Sequence, residues 1–407
     1  MSRAHVYFQV FKATGQYTGE WIEVTRDVVK IGNIKQTLDS SEYDFGILKN
    51  SNVTINMNNS SGVYSDIAES YSMFRFKRSG TRVKITWEPG DRDLLVGFFT
   101  CDDPDAIISE EVTVFNGLLN DDATKESIID QEITFNCLGY ESVLQNLKVP
   151  YSSISNGDTF SEILYDCFNQ TEVTNLMTLD IGRINPGTDS AVDDVSKLEN
   201  KTVHEALKKI LLPANSVFWV DMNARINIAE RNPTDDLIYS FYGPGSLNGG
   251  ENIASMKYML GNARIFNFIT WKDTSIVSTD ATSVGLYGIH KKEIDVDFIT
   301  NNTTRNNIVD ALVDEFSTRK TEIALKTILN PSTAAIEMLS KVNIDLPSIT
   351  LDPDGLPVAY YGKSEYGSSY YAQEINNIKI LSTTSWKVLG RSINVENDLI
   401  EFELREV

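Results

Sequence analysis

Along most of this chain apolar and polar residues alternate with a period of two, which places the apolar ones on one face of a strand. Val6, Phe8 and Val10 alternate with polar neighbours, Gly15 and Gly19 mark a turn, and Trp21, Ile22 and Val24 resume the pattern. A strand at 34–38, a polar loop and a run at 43–48 follow, and then Val53, Ile55 and Met57 alternate strictly. Residues 58–62 are turn-rich, and 66–73 fit either a short helix or an ordered loop. Val83, Ile85 and Trp87 alternate again before the turn Glu88-Pro89-Gly90-Asp91. Residues 94–99 form an unbroken apolar run of buried-strand length, and 112–115 and 132–137 give two more strands. Many short strands divided by Gly and Pro turns predict an antiparallel barrel or sandwich, ending near residue 148.

The period then changes. Thr159-x-x-Glu162 and Thr202-x-x-Glu205 have the capping-box spacing that opens a helix. Behind the first, Phe160, Ile163, Leu164, Cys167 and Phe168 fall on one helical face. Behind the second, Val203, Leu207, Ile210 and Leu211 do the same, with Pro213 beyond them. Residues 217–221 and 225–228 predict a hairpin around Met222-Asn223-Ala224. The stretch 181–200 is polar with few apolar anchors and predicts a long surface loop.

Strands return near residue 253. Tyr258-Met259-Leu260 and the run 264–271 bracket Gly261-Asn262 and predict a hairpin. Leu286-Tyr287-Gly288 leads into a strand at 292–297. Residues 304–319 carry the clearest helical pattern, with Ile308, Leu312 and Phe316 stacked and Val309 and Val313 beside them. Strands are predicted at 322–329, before Pro331, and at 336–346 and 375–381, while 352–373 predicts an exposed loop. The chain closes on 386–407. There Val388, then Ile393 and Val395, then Ile400, Phe402 and Leu404 make two period-two runs around Glu396-Asn397-Asp398. That hairpin ties the chain end into a sheet. The layout is mainly β with α+β insertions. A first β-barrel domain spans 1–148, a small α+β domain 149–236, and a second β-barrel region 237–407, with helix 304–319 and loop 352–373.

Composition alters this picture in one respect. With 41% hydrophobic and 23% charged residues, the 407-residue chain is an ordinary globular one of two to four domains. No run approaches the roughly 20 apolar residues of a membrane span. Met1-Ser2-Arg3-Ala4-His5 lacks the pattern of a secretory signal, so synthesis in a cytosol is expected. The net charge of −21 is the informative number. An acidic surface does not grip nucleic acid, yet it lets DNA slide past without sticking. Acidity that serves solubility alone is equally compatible.

Reactive constellations are sparse. Cys101, Cys137 and Cys167 lie among apolar neighbours with no Cys-x-x-Cys spacing, which predicts buried thiols. His5, His204 and His290 share no metal-binding spacing, and there is no Gly-x-Ser-x-Gly elbow for a serine nucleophile. The acid pairs Asp102-Asp103, Asp121-Asp122, Asp193-Asp194 and Asp235-Asp236 fall mostly in predicted loops, and a chain with 57 acids produces such pairs by chance. They do not specify a glycosidase or a calcium loop. Gly243-Pro244-Gly245 and Gly249-Gly250 match no phosphate cradle. The tyrosines at 360–371 predict packing on a neighbouring subunit, with a sugar-binding tip as the sharper alternative. No catalytic, cofactor-binding or metal-ligating residue is assigned, and no cofactor is expected.

Five stretches, taken in order, carry a resemblance. They are 34–58 with Tyr43-Asp44-Phe45-Gly46, then Arg82-Val83-Lys84-Ile85 followed by 94–99, then Ile133-Thr134-Phe135-Asn136-Cys137-Leu138-Gly139 leading into Leu144 and Leu147. The fourth is Leu286-Tyr287-Gly288 with helix 304–319 and its long strand, and the last is the closing hairpin with Trp386-Lys387-Val388-Leu389-Gly390. In pattern and order the chain resembles the baseplate hub, or tail-tip hub, proteins of long-tailed bacteriophages. The resemblance covers most of the chain, but 181–200 and 352–373 match nothing in it, and no lysozyme or needle segment is appended. It implies two tail-tube-like antiparallel β-barrels per protomer, decorated by smaller α+β domains, and a homotrimer whose six barrels form a ring. It implies a non-catalytic part of the virion tail, made in the host cytoplasm. The implied partners are a distal tail protein or tail tube protein, a tape-measure protein and a tail spike or fibre, with DNA passing through the ring without specific binding. A hexameric distal tail protein, a carbohydrate-binding tip adhesin and a glycan hydrolase are the alternative readings.

Overall fold

The alternating runs become strands, and their apolar positions meet in one core. The computed structural model describes residues 3–38, 48–65, 72–89, 111–127, 129–231, 237–243, 252–261, 265–318, 320–345 and 385–407. The first β region consists of β1 (Arg3–Gln9), β2 (Ile22–Glu23), β3 (Val28–Ile31), β4 (Ile34–Leu38), β5 (Leu48–Asn58), β6 (Arg82–Glu88), β7 (Val112–Ser127) and β8 (Glu132–Gly139). Val6, Phe8, Val53, Ile55, Met57, Val83, Ile85 and Trp87 are all buried, as the alternation predicts. Phe135 of β8 packs edge-on against Phe8 and Phe74, each at 5.8 Å between ring centres. The expected strand at 94–99, most of the run at 43–48, the loop 352–373 and the strand at 375–381 lie outside the described residues.

The middle region contains α1 (Phe160–Phe168), α2 (Thr171–Thr174), α3 (Val203–Leu211), β9 (Ser216–Val220) and β10 (Ile226–Glu230). Both predicted capping boxes form. Thr159 and Thr202 each accept from the backbone N–H of Glu162 and Glu205, whose carboxylates accept from the Thr N–H in return. Each box satisfies donors that a helix start leaves open. Thr202→Ala is therefore expected to lower stability by about 1 kcal/mol in chemical denaturation. β9 and β10 pair antiparallel, Ile226 opposite Val220, around the predicted turn, with Ala224 in the left-handed region at φ 58°.

The stretch 181–200 differs from its prediction. It is not a free surface loop: Ile184, Val192, Val195 and Leu198 are buried, and the backbone bridges Ala191 to Thr159 and Ile184 to Ile228. Four spaced apolar residues anchor it, too few to give a period but enough to bury. Its polar residues act locally. The carboxylates of Asp180 and Asp194 accept from the N–H groups of Gly182 and Ser196, and so cap two short 3-10 turns.

The last region runs β11 (Tyr239–Tyr242), β12 (Ile253–Gly261), β13 (Phe268–Trp271), β14 (Val277–Thr279), α4 (Ala281–Tyr287), β15 (Lys291–Ile294), α5 (Asn302–Phe316), β16 (Lys320–Ile328), α6 (Pro331–Ala334), β17 (Lys341–Asp345), β18 (Ser385–Asn394) and β19 (Leu399–Glu406). The predicted helix 304–319 is α5, and it buries Ile308, Val309, Leu312, Val313 and Phe316. The strand expected over 336–346 begins only at Lys341, because α6 and a turn occupy the residues before it. The hairpin expected across Gly261-Asn262 does not form. β12 pairs with β16, while β13 joins β14 and β15 in a separate three-stranded sheet. That sheet packs under α5, where Phe266 meets Phe316 at 6.3 Å. Burial of β13 against a helix outweighs a local turn signal.

The two β regions share a single 14-stranded sheet, in the order β12-β16-β19-β18-β4-β5-β8-β7-β6-β1-β2, with β3, β11 and β17 attached. Its pairings are antiparallel except β11 with β17. Among the described residues no pairing joins β12 to β2, so hydrogen bonds do not close the path into a ring. The buried apolar residues of all three regions form one contiguous core.

Candidate functional site

β18 is the joint of the molecule. One edge pairs along its length with β19, and the other is divided. Ser385, Trp386 and Lys387 pair with β17, whereas Gly390, Arg391, Ser392 and Ile393 pair with β4. A bulge between Val388 and Gly390 separates the halves. Bulges bend a strand and re-aim its side chains. A Cβ at Gly390 would lie 2.8 Å from Thr37 Cγ2 and 2.9 Å from Glu403 Oε2, so these side chains would have to shift to admit one.

The bulge turns Arg391 onto the buried face. Arg391 is 2% exposed and stands opposite Gln36 of β4. Its Nε donates to Gln36 Oε1 at 2.8 Å and its guanidinium donates to the Ile336 carbonyl at 2.6 Å. Gln36 Nε2 donates in turn to the Val220 carbonyl at 2.9 Å. This chain of bonds ties together β4, β9, β18 and the turn after α6. Burial lowers the Arg391 pKa to about 10, against the opposing pull of Glu337 and Asp221. A cavity of about 20 Å³ adjoins it, lined by Gln36, Ser51, Glu141, Asp221 and Arg391 among others. That is room for about one water with several polar partners. Glu141 is buried at this junction, where it accepts from the Ser51 N–H, and burial raises its pKa.

A second polar cluster lies on the opposite face of β18. Lys387, Arg231, Arg405 and Glu315 are all buried there. Lys387 stands directly across from Arg405, a like-charge pair that sheets disfavour. Lys387 Nζ donates to the Arg231 carbonyl at 2.8 Å and lies 3.6 Å from Glu315 Oε1. Burial lowers the Lys387 pKa to about 8; Glu315 opposes this, and Arg405, Lys320 and Arg231 add to it. The folded chain thus gives up this proton near pH 8, before the unfolded chain does at its ordinary 10.5. Stability rises with pH wherever the unfolded state holds more protons. The stability of the native chain relative to a Lys387→Met variant should therefore rise as pH climbs from about 8 towards 10.5. Parallel urea titrations of the two proteins measure it, and a difference that is flat with pH contradicts the burial.

The residues weighed for chemistry are engaged elsewhere. His5 Nδ1 lies 2.9 Å from Glu23, and exposed His290 contacts the Tyr287 carbonyl through Nε2 at 3.1 Å. His204 lies in α3, far along the chain from either. Asp121 pairs with Arg78, and Asp193 accepts from the N–H of Asn301 at 2.9 Å. Asp102-Asp103, Asp235-Asp236 and Cys101 lie outside the described residues. Cys137 and Cys167 are buried, and burial raises both thiols, that of Cys167 to about 12. Among the described residues no group of three or more His, Cys, Asp or Glu is placed to hold a metal, and no helix is long and apolar enough to cross a membrane.

Sequence reasoning missed both buried clusters, but β18 carried a signal. Val388 and Ile393 are five residues apart, an odd number, so the apolar phase switches between them. Only an extra residue lets both face the core, and restoring the phase puts Arg391 on that face.

The architecture has clear counterparts. The tail protein from Neisseria meningitidis superposes over 100% of this chain and 96% of its own, with a TM-score of 0.55 at 11% identity. The 43 kDa tail protein of prophage MuSo2 from Shewanella oneidensis does so over 99% and 97%, with a TM-score of 0.52 at 11% identity. The chain has a tail-protein fold. A chain of the Francisella PdpA–VgrG complex shares that fold, with a TM-score of 0.51 at 9% identity, over 100% of this chain and 58% of its own. No known family profile matches the sequence, and no curated protein does. At 9–11% identity the likeness is one of fold. It is β-rich, as the pattern of alternation predicts, with the α+β elements inserted between two runs of strands.

Proposed function

We propose that the chain is a structural hub of a phage tail baseplate or tip. It forms a ring that continues the tail tube and surrounds the DNA channel. The observation that carries this reading is the match over nearly the whole length of two tail proteins. Regions 1–148 and 237–407 act as two tube-like barrels and 149–236 as the α+β domain between them. Three copies supply six barrels, which adapt a six-fold tube to a three-fold tip. The role is non-catalytic, the location is the virion, and the neighbours are tube or distal tail, tape-measure and spike or fibre proteins. A fold shared with a chain of the PdpA–VgrG complex supports a role within an assembly.

The strand pairing of both β regions through β18 supports the reading, because a ring under load needs its two β regions to move as one body. The charge of −21 suits a channel wall that DNA must pass without adhering. Mass photometry of the purified chain tests the stoichiometry. The expected peak lies at three times the 45.6 kDa protomer. A six-fold peak would favour a distal tail protein, and a stable monomer at micromolar concentration would overturn the ring.

A further inference from the structure

A buried carboxyl stands where the three regions meet. Glu141 lies in the 3-10 turn Tyr140–Gln145 that follows β8, and it is 4% exposed. The sheet makes room for it. Gly117 and Gly139 stand opposite each other across β7 and β8, and the Glu141 carboxyl fills the space that a Cβ on Gly139 would need. The neighbouring strand is shaped to meet it. Between Lys35 and Thr37 β4 has one residue, Gln36, where β5 has two, Asn50 and Ser51. Such a bulge takes a residue out of the ladder, and the Ser51 N–H donates to Glu141. Gln36, across the bulge from Ser51, is the residue that bonds Arg391 of β18. Glu141 thus seals a bulge that lies directly beside the pairing of β4 with β18.

Among the described residues no cation balances this carboxyl. Burial holds its pKa up, and only bonds from Ser51 and from its own N–H pull the other way. Arg391 and Asp221 line the same cavity but are engaged elsewhere. Arg391 bonds Gln36 and the Ile336 carbonyl and is drawn to Glu337 and Asp221. Asp221 pairs with Arg225 at 2.7 Å. α3 packs on the same turn and carries His204, Glu205, Lys208 and Lys209, none of which acts on the carboxyl. A lone buried charge is costly, whereas the neutral acid is tolerated. The adjoining cavity, with room for about one water, gives an ionised Glu141 a first step towards hydration.

We propose that Glu141 is a pH-operated latch on the joint between the two β regions. As the neutral acid it seals the bulge between β4 and β5. As the carboxylate it draws water into the cavity and loosens the pairing of β4 with β18. The latch works within one copy, and so stands or falls apart from the ring. The folded chain holds this proton above the ordinary 4.5 at which the unfolded chain releases it. Stability falls with rising pH wherever the folded state holds more protons.

Glu141→Gln tests it, because the amide keeps an acceptor for Ser51 but cannot ionise. In parallel urea titrations the wild type should lose stability relative to the variant as pH climbs above 4.5, while shared groups such as Glu337 and Lys387 cancel. Hydrogen–deuterium exchange locates the effect. As pH rises, amides of β4 and β18 should exchange several-fold faster in the wild type than in Glu141→Gln at the same pH, while those of β13 and β15 stay equal. A stability difference that is flat with pH, or equal exchange at β4 and β18, overturns the latch. If Glu141→Gln does not fold, the wild type alone carries the test. With intrinsic exchange rates divided out, β4 and β18 should lose protection with rising pH ahead of β13 and β15, and loss in step overturns the proposal.

Discussion

Removing residues 398–407 is expected to unfold the last β region and release the first one from it. β19 lies between β16 and β18, so its loss leaves two long strand edges unpaired. It also removes Ile400, Phe402 and Leu404, all buried. At about 1.5–3 kcal/mol for each buried side chain, that is roughly 5–9 kcal/mol, comparable with the whole stability of a typical domain. The turn is lost too. Asp398 accepts from the indole N–H of Trp87 at 3.0 Å, and its carbonyl accepts from the Leu329 N–H at 2.8 Å. Circular dichroism and limited proteolysis of the truncated chain measure the effect. Native spectra and normal assembly would show the hairpin to be peripheral.

The second large effect is at Arg391. Arg391→Ala is expected to lower stability by about 3–5 kcal/mol, the usual result of taking one partner from a buried charged network. Gln36 loses its donor, the Ile336 carbonyl loses its own, and a cavity opens at the joint. Replacing both partners by apolar residues of similar shape removes the need for the bonds. Arg391→Met combined with Gln36→Leu should therefore recover part of the loss, the remainder being the Ile336 and Val220 carbonyls left without these donors. Urea unfolding followed by tryptophan fluorescence gives the single and double values, and their coupling isolates the pair. A loss below about 1 kcal/mol for Arg391→Ala would mean that the joint is held by apolar burial alone.

These two predictions divide along the line between what the residues announce and what they conceal. The closing hairpin was legible because Val388, Ile393, Ile400, Phe402 and Leu404 mark its strands and Glu396-Asn397-Asp398 its turn. The helices α1 and α3 were legible from their capping boxes, and α5 from its apolar stripe. The pairing of β18 with β4 was not, because it joins residues more than 350 positions apart and no local chemistry records it. Nothing near Gly261-Asn262 showed that β12 would pair with β16 across the intervening three-stranded sheet and the helices α4 and α5. Arg391 and Lys387 were not singled out, because charged residues on strands usually face solvent. Only the phase break before Ile393 pointed the other way. Leu286-Tyr287-Gly288 was read as a strand lead-in, since the exposure of Leu286 and Tyr287 is a property of packing and not of the residues themselves.

Cryo-electron microscopy of the purified chain at assembling concentration decides whether it forms the ring. A closed three-fold ring around a central channel is the expected result, with two β regions per copy joined through β18 and β4. A monodisperse monomer, or an open filament without a channel, would contradict it.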